Sequence, residues 1–211
     1  FPNLDARKIR VIHHGFDGAF FSQRLTSEEI VSTLDSYSLV PDSYCLYVGA
    51  LQPRKNLVRL IEAFEKMKSE NPQAKLVLAG EVAWLASGIL KTRERSLYKE
   101  DIILTGKVSF DELRALYQGT RVFVFPSLYE GFGIPILEAF SSGVPVLTAN
   151  NSSLPEVAGN GALYCEALNT DDIAQKLALL WQNASLREAL VLKGTQQLAG
   201  FSWERCARQT L

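Results

Sequence analysis

Residues 121–149 read "RVFVFPSLYEGFGIPILEAFSSGVPVLTA". Its two ends, 121–127 and 144–149, are nearly continuous apolar runs, which is typical of strands buried on both faces of a parallel sheet. Between these runs, Pro135 suits the first turn of a helix and Gly143 suits its C-terminal cap. The stretch therefore predicts two parallel strands connected by a helix.

The same alternation extends in both directions along the chain. Further apolar runs of strand length are "YCLYVGA" (44–50), "AKLVLAG" (74–80), "DIILTG" (101–106) and the shorter "GALYCEA" (161–167). Segments of helical period separate them, and Ser109 with Glu112 forms a capping box at the start of one. We expect later helices over 171–182 and 185–198, and a last one capped by Ser202. Repeated strand and helix predict an α/β fold with a doubly wound, Rossmann-like parallel sheet.

The composition limits the classes of partner. The chain has 211 residues, 47% of them hydrophobic, which suits one core and makes two independent cores improbable. Its 22 lysines and arginines balance 23 acidic residues, so no overall positive field attracts nucleic acid. Three cysteines, an odd number, argue against a disulfide framework and for a reducing, cytoplasmic location.

Ligands of doubly wound sheets bind beyond the carboxyl ends of the strands. Here that rule selects the loops 49–55, 80–84, 106–108 and 126–133. Arg54 and Lys55 lie in the first loop, just before a predicted helix. Positive charge at a helix start opposes the helix dipole, which favours a bound anion such as a diphosphate. Two solvated loop residues are the open alternative.

Two glutamates occur in the stretch quoted first. Glu138 falls among apolar residues of the predicted helix, where an ionised carboxylate needs a hydrogen-bonding partner, such as a ribose diol, or a raised pKa. Glu130 precedes Gly131, Phe132 and Gly133, whose backbone N–H groups can approach an anion or sugar hydroxyls. From the residues alone, a solvated loop position for Glu130 and a salt bridge from Glu138 to a neighbouring helix stay open.

Residues 129–159, "YEGFGIPILEAFSSGVPVLTANNSSLPEVAG", resemble the signature of retaining glycosyltransferases of the GT-B fold. In that signature two glutamates with seven residues between them flank a "GFG" loop. The segments "YVGALQPRKNL" (47–57), "LVLAG" (76–80) and "ILTGKVSFDELRALY" (103–117) are similar, in order and spacing, to the nucleotide-sugar-binding C-terminal domain of that superfamily. The likeness extends from about Ile12 to the C-terminus.

The resemblance implies a role for each charged candidate. Glu138 would accept hydrogen bonds from the ribose hydroxyls of the nucleotide. Glu130 would contact hydroxyls of the donor sugar, while the amides of residues 131–133 would hold the sugar and the distal phosphate. Arg54 and Lys55 would stabilise the leaving diphosphate. Glu130, Arg54 and Lys55 are thus the candidate catalytic residues.

The other implied donor-binding positions are glycines and backbone groups. Gly49 and Gly80 end two strands, and the loop with Val108 resembles the one that reads the base edge through main-chain groups. Many relatives have an arginine where this chain has Ala50, so the second positive charge would have to come from Arg54. The segments look most like bacterial polysaccharide mannosyltransferases, so GDP-mannose is the expected substrate, and no separate cofactor is expected.

The resemblance also divides the chain. Residues 1–42, with "IRVIHHGFDGAFF" at 9–21, resemble the interdomain linker that leads into the donor domain, and 43–211 resemble that domain itself. We expect the acceptor-binding N-terminal domain of that family to be missing from this chain, and therefore nucleotide-sugar binding without efficient transfer. A glycan or lipid-linked acceptor would bind that domain, in the cytoplasm or at the inner face of the membrane. His13 and His14 have no carboxylate at a metal-site spacing, so we expect ordinary linker residues and no metal.

Other classes fit the motifs less well. The chain has no G-x-x-x-x-G-K-[ST], and "GFGIPI" (131–136) lacks the third glycine of a dinucleotide fingerprint. Glu138, inside an apolar helix, is poorly positioned for the carboxylate pair of a glycoside hydrolase. Two alternatives stay open: a nucleotide-sugar epimerase or phosphorylase of the same fold, and a non-catalytic flavodoxin-like interaction domain.

Overall fold

A computed structural model describes residues 5–211. These residues form a six-stranded parallel sheet flanked by helices. The strands are β1 (Tyr44–Val48), β2 (Lys75–Ala79), β3 (Ile102–Gly106), β4 (Val122–Phe125), β5 (Val146–Ala149) and β6 (Ala162–Cys165). The helices are α1 (Gly18–Ser22), α2 (Ser27–Asp35), α3 (Leu57–Lys68), α4 (Ser87–Arg95), α5 (Phe110–Gly119), α6 (Ile134–Ser141), α7 (Leu154–Ala158), α8 (Thr170–Gln182), α9 (Ala184–Gln197) and α10 (Trp203–Thr210).

The strand order is β3-β2-β1-β4-β5-β6, and every neighbouring pair is parallel. The chain therefore winds from β1 to one edge of the sheet, returns to the middle, and winds from β4 to the other edge. The doubly wound parallel sheet predicted from the sequence is confirmed. Because the winding reverses between β1 and β4, their carboxyl ends flank the crevice in which such sheets bind ligands.

The strands are buried because helices cover the sheet. All four residues of β4 and of β5 are buried, as their continuous apolar runs predict. Aromatic rings fill the centre of the core: Tyr47 and Phe123 each stack on Phe125, with centroids 6.0 and 5.8 Å apart. Pro126 follows β4 directly, where its missing N–H cannot weaken the sheet.

Short sequence patterns correctly predicted where several helices begin or end. The predicted capping box at α5 is formed, with Ser109 N donating to Glu112 Oε2 at 2.7 Å and Glu112 N donating to Ser109 Oγ at 3.2 Å. Ser202 caps α10 by accepting a hydrogen bond from Arg205 N at 3.1 Å. At the end of α6, Gly143 has a φ of 74°, the left-handed conformation expected of a residue that ends a helix.

Residues 5–42 contain two helices, α1 and α2, that are not among those predicted from the sequence. The second, α2, begins with a capping box between Thr26 and Glu29, a pattern that can be recognised in the sequence alone. Phe21 of α1 and Leu34 of α2 are buried, and Arg24 Nη1 donates to Ser142 O at 2.6 Å. This segment is therefore packed on α5 and α6. The domain boundary at residue 42 stays a prediction.

Two further observations concern membrane-spanning helices and the cysteines. None of the helices formed by residues 5–211 combines the length and the apolar character that a bilayer crossing requires. Cys45, Cys165 and Cys206 all carry free thiols. Burial raises the pKa of Cys165 to about 12 and also raises that of Cys45, so these two are core side chains and not reactive thiolates.

Candidate functional site

The loops after β1 and β4 are bound to each other by hydrogen bonds. Leu128 N donates to Arg54 O at 2.8 Å. The buried Asn56 side chain donates from Nδ2 to Pro126 O at 3.0 Å and to Ala167 O at 2.6 Å. Asn56 has a φ of 63°, a left-handed conformation that asparagine tolerates better than most residues. The basic turn before α3 is thereby fixed beside the loop that carries Glu130.

Arg54, Lys55 and Glu130 form what we call the charge cluster. Lys55 Nζ lies 2.6 Å from Glu130 Oε1, and Arg54 Nη1 lies 2.6 Å from Glu130 Oε2. The side chains of Lys55 and Glu130 are 9% and 8% exposed, whereas that of Arg54 is 45% exposed. The two cations thus meet on opposite oxygens of one carboxylate. The anion that we expected beside these basic residues is, within the protein, Glu130 itself.

Burial and ion pairing act against each other in this cluster. Burial by itself would raise the pKa of Glu130, but hydrogen bonding and ion pairing, above all with Lys55, outweigh burial, so the pKa lies below its ordinary value. For Lys55 the balance is reversed: burial lowers the pKa of the Lys55 amine more than the hydrogen bond that it donates to Glu130 raises it. We expect all three side chains to be charged at neutral pH, with one net positive charge.

The turn 131–133, which we call the GFG loop, is held by serines that follow β5. Glu130 N donates to Ser152 Oγ at 3.1 Å, and Ser153 Oγ donates to Glu130 O at 3.0 Å and to Phe132 O at 2.7 Å. Gly133, the residue just before α6, has a φ of 121°, which favours glycine. Among residues 5–211, no acceptor is found for the N–H groups of the GFG loop, which therefore form a donor surface at the start of α6.

Glu138 lies on α6 and is partly buried. Its Oε2 accepts a hydrogen bond from the Tyr117 hydroxyl at 2.8 Å. Burial raises the pKa of Glu138, and this hydrogen bond only partly opposes the effect. Tyr117 comes from α5, so its pairing with Glu138 could not be read from local sequence. Glu138 makes no hydrogen bond to the charge cluster, so the structure separates the two glutamates into different surroundings.

The glycine candidates lie where the first two strands end. Gly49 and Gly80 have φ values of 142° and 149°, and a Cβ on Gly80 would lie 2.1 Å from Gly49 O. The two backbones therefore touch. A Cβ on Gly49 would lie 3.8 Å from Lys55 Nζ, which brings this strand end beside the charge cluster. Val108, the candidate base reader, follows β3 and is partly buried against the core.

His13 contacts a carboxylate that is distant in sequence. His13 Nε2 and Glu156 Oε1 of α7 are 2.6 Å apart. The His14 ring packs edge-on against Phe132, with centroids 5.2 Å apart, and Phe201 lies 5.7 Å from Phe132. His13 therefore pairs with a carboxylate that its local sequence does not reveal. In the described part of the chain, no group of three His, Cys, Asp or Glu side chains is arranged to hold a metal ion.

A large groove lies away from these residues. It has a volume of about 680 Å³, runs between α1 and the start of α10, and is lined by residues that include Phe16, Phe201 and Trp203. None of the candidate donor-binding residues lines it. The size of this groove does not identify the site, because the buried charged groups gather at the carboxyl ends of β1 and β4 instead.

The family model for glycosyl transferases group 1 matches residues 38–197. That match covers more than half of the chain and includes every candidate donor-binding residue. The chain belongs to the group 1 glycosyl transferases. The resemblance noted in the sequence is thereby confirmed at the level of the family, and the chain is part of a transferase.

Curated relatives of this group 1 domain include two mannosyltransferases. It is 38% identical over 184 residues to O-antigen chain mannosyltransferase B of Escherichia coli, covering 87% of this chain and 48% of that protein. It is 36% identical over 185 residues to the serotype-specific mannosyltransferase WbdA of E. coli, covering 86% of this chain and 23% of that protein. The chain therefore spans half or less of the length of these relatives.

Solved structures share its fold. A glycosyltransferase from Rickettsia africae has a TM-score of 0.88 at 21% identity, covering 98% of this chain and 56% of that one. Anabaena HepE in complex with UDP and glucose has a TM-score of 0.87 at 17% identity, covering 99% of this chain and 57% of that one. At these identities the likeness establishes the fold alone, and the predicted Rossmann-like half of a GT-B fold is confirmed.

Proposed function

We propose that this domain binds the nucleotide-sugar donor of a retaining glycosyltransferase that transfers a hexose to a glycan or polysaccharide acceptor. The sugar is mannose and the donor is GDP-mannose. The observation that carries the proposal is the charge cluster at the crevice between β1 and β4, next to the GFG loop. The mannosyltransferase relatives support the choice of sugar.

The charge cluster would act on the diphosphate. When the bond between sugar and distal phosphate breaks, negative charge develops on the phosphate oxygens. Lys55 and Arg54 carry positive charge beside the GFG loop, whose N–H groups add further donors at the start of a helix. Because hydrogen bonds already hold these groups in position, little reorganisation is needed as the charge develops. Arg54 would supply the second cation in this chain, which has Ala50 where many relatives have arginine.

The glutamates would bind hydroxyl groups. Glu130 would accept hydrogen bonds from the donor sugar while it remains paired with the cations. Glu138 has one oxygen, Oε2, engaged by Tyr117, which leaves Oε1 for a ribose hydroxyl. A partly buried carboxylate gains more from such a bond than a solvated one, because it has lost water on burial. Gly49, Gly80 and the backbone of Val108 would complete the donor-binding surface.

Transfer itself would need the acceptor-binding half. Because the chain spans about half the length of O-antigen chain mannosyltransferase B, we propose that it binds donor but transfers inefficiently alone. In the whole protein the acceptor, a glycan or lipid-linked glycan, would bind the N-terminal domain. Free thiols at all three cysteines fit transfer in the cytoplasm, at the inner face of the membrane.

Calorimetric titration with GDP, UDP and ADP tests the proposal. We expect GDP to bind most tightly, and GDP-mannose to bind better than GDP-glucose. The variants K55A and R54A should weaken GDP binding about tenfold or more, since each removes a cation from the diphosphate. The matched control is K99A, which removes a surface lysine paired with Glu94. An absence of heat with every nucleotide would favour a flavodoxin-like interaction domain instead.

A further inference from the structure

Glu130 is close to both cations that would hold the diphosphate. Each of its carboxylate oxygens lies 2.6 Å from one of them, Lys55 Nζ or Arg54 Nη1. Any phosphate that binds these two side chains must therefore share them with a carboxylate. The carboxylate is itself buried, so water screens its repulsion of a neighbouring anion less than at the surface.

The repulsion depends on the charge of the distal phosphate. In a sugar nucleotide this phosphate is joined to the sugar by an ester bond and to the proximal phosphate by an anhydride bond, so it carries one negative charge. In a free nucleoside diphosphate it is a terminal phosphate, which carries about −1.5 to −2 near pH 7. The charge cluster offers one net positive charge, two cations less one carboxylate. It therefore suits the esterified phosphate better than the free terminal one.

We infer that Glu130 sets the selectivity of the site for the sugar nucleotide over the free nucleoside diphosphate, which rests on the proposed function. The same carboxylate attracts and repels: it accepts hydrogen bonds from neutral sugar hydroxyls and repels the second charge of a terminal phosphate. The ionised state of Glu130 that this requires agrees with its lowered pKa. Glu130 is a specificity-determining residue in addition to its sugar contact.

During the transfer the distal phosphate gains negative charge, which is the change that Glu130 disfavours. An acceptor hydroxyl oxygen bonds to the anomeric carbon and loses its proton to solvent. The bond from that carbon to the distal phosphate oxygen breaks, and both electrons stay with the phosphate. The donor thus becomes a nucleoside diphosphate with an additional negative charge beside Glu130. Glu130 therefore favours release of the product over its retention.

The variant E130Q tests the inference because it removes the charge and preserves the size of the side chain. Calorimetry with GDP and with GDP-mannose gives two affinities for each protein. We expect E130Q to bind GDP about tenfold more tightly than wild type, and GDP-mannose no more tightly, since its sugar contact is weakened. E130Q binding GDP with wild-type or weaker affinity would overturn the inference.

A matched control separates this effect from the loss of any buried ion pair. Lys68 Nζ lies 2.9 Å from Asp101 Oδ2, and the Lys68 side chain is 4% exposed. The variant D101N should leave GDP affinity unchanged, and a tenfold gain there would also overturn the inference. If circular dichroism shows that E130Q does not fold, E130A is titrated in its place. E130A also removes the negative charge, and its small side chain lets water reach both cations.

The wild-type titration distinguishes the two proposals. If wild-type protein binds none of GDP, UDP and ADP, the proposed function fails. If UDP or ADP binds best, the comparison is repeated with that nucleotide and its glucose conjugate. Wild-type binding with no gain in E130Q contradicts only the selectivity role.

Discussion

His13 Nε2 lies 2.6 Å from Glu156 Oε1, although the two residues are 143 positions apart in the chain. The pair joins the segment before α1 to the start of α7. Ser153, the residue just before α7, donates from its hydroxyl to the carbonyl oxygen of Phe132 at 2.7 Å. The rings of His13 and His14 lie 6.0 and 5.2 Å from the Phe132 ring. One contact network therefore connects the N-terminal segment with the GFG loop.

Removing either partner should cost little stability. The side chains of His13 and Glu156 are 34% and 55% exposed, so we expect H13A and E156A each to lower the free energy of unfolding by about 0.5–1 kcal/mol. The double variant should lose less than the sum of both, as measured by urea unfolding. The more exposed pair Lys99–Glu94 provides the control cycle, with weaker coupling expected. Strict additivity of H13A and E156A would contradict the coupling.

The strands and helix starts could be predicted because they depend on residues that are close together in the chain. Apolar runs gave all six strands, and Ser109 and Ser202 gave helix starts, because a strand's burial and a helix cap are encoded within a few positions. The capping box of Thr26 with Glu29 carries the same kind of signal, so α2 was equally accessible to prediction. The candidate loops also followed, since the carboxyl ends of adjacent parallel strands meet at one edge.

The side-chain pairings could not be predicted in the same way. Glu130 meets Lys55 only because β1 and β4 are neighbours in the sheet, and that adjacency is a property of the strand order. Glu138 meets Tyr117 across the contact between α6 and α5. Such pairs depend on how elements pack, for which a single sequence has no local pattern.

The pH dependence of stability should reveal the burial of Glu138. Burial raises the pKa of Glu138 above the ordinary value of 4.5. At a pH between 4.5 and the raised pKa, the folded protein therefore keeps a proton on Glu138 that the unfolded chain has lost. The contribution of Glu138 to stability therefore falls as pH rises through this range. The variant E138Q has no titrating group at this position, so it does not lose this stability as pH rises. We expect E138Q to gain stability relative to wild type from pH 4 to pH 7, measured by urea unfolding, while its GDP affinity falls. A stability difference independent of pH would contradict this.

Glu130 should show the opposite dependence. Its pKa lies below 4.5 in the folded protein, so its stabilising contribution is present above that value and is lost as pH falls through the folded pKa. At pH 7 we expect E130Q to be less stable than wild type by about 2 kcal/mol, below the usual cost of breaking a buried pair because Arg54 is partly exposed. The difference should shrink towards pH 3 in urea unfolding. A constant or growing difference on acidification would be inconsistent with the ion pairing.

Two glycine substitutions should separate stability from ligand binding. In G80A the new Cβ would lie 2.1 Å from Gly49 O at a φ of 149°, so we expect a loss of about 2–4 kcal/mol or no folded protein. In G131A the new Cβ would meet no atom within 4 Å, so stability should change by less than about 0.5 kcal/mol.

The methyl group of G131A would nevertheless project from the GFG loop, where the proposed sugar and distal phosphate approach the bare backbone. We therefore expect G131A to weaken GDP-mannose binding about tenfold while its melting temperature stays near that of wild type. Thermal unfolding and calorimetry on the same preparations measure both effects. Wild-type GDP-mannose affinity in a folded G131A protein would show that the donor sugar does not approach this face of the loop.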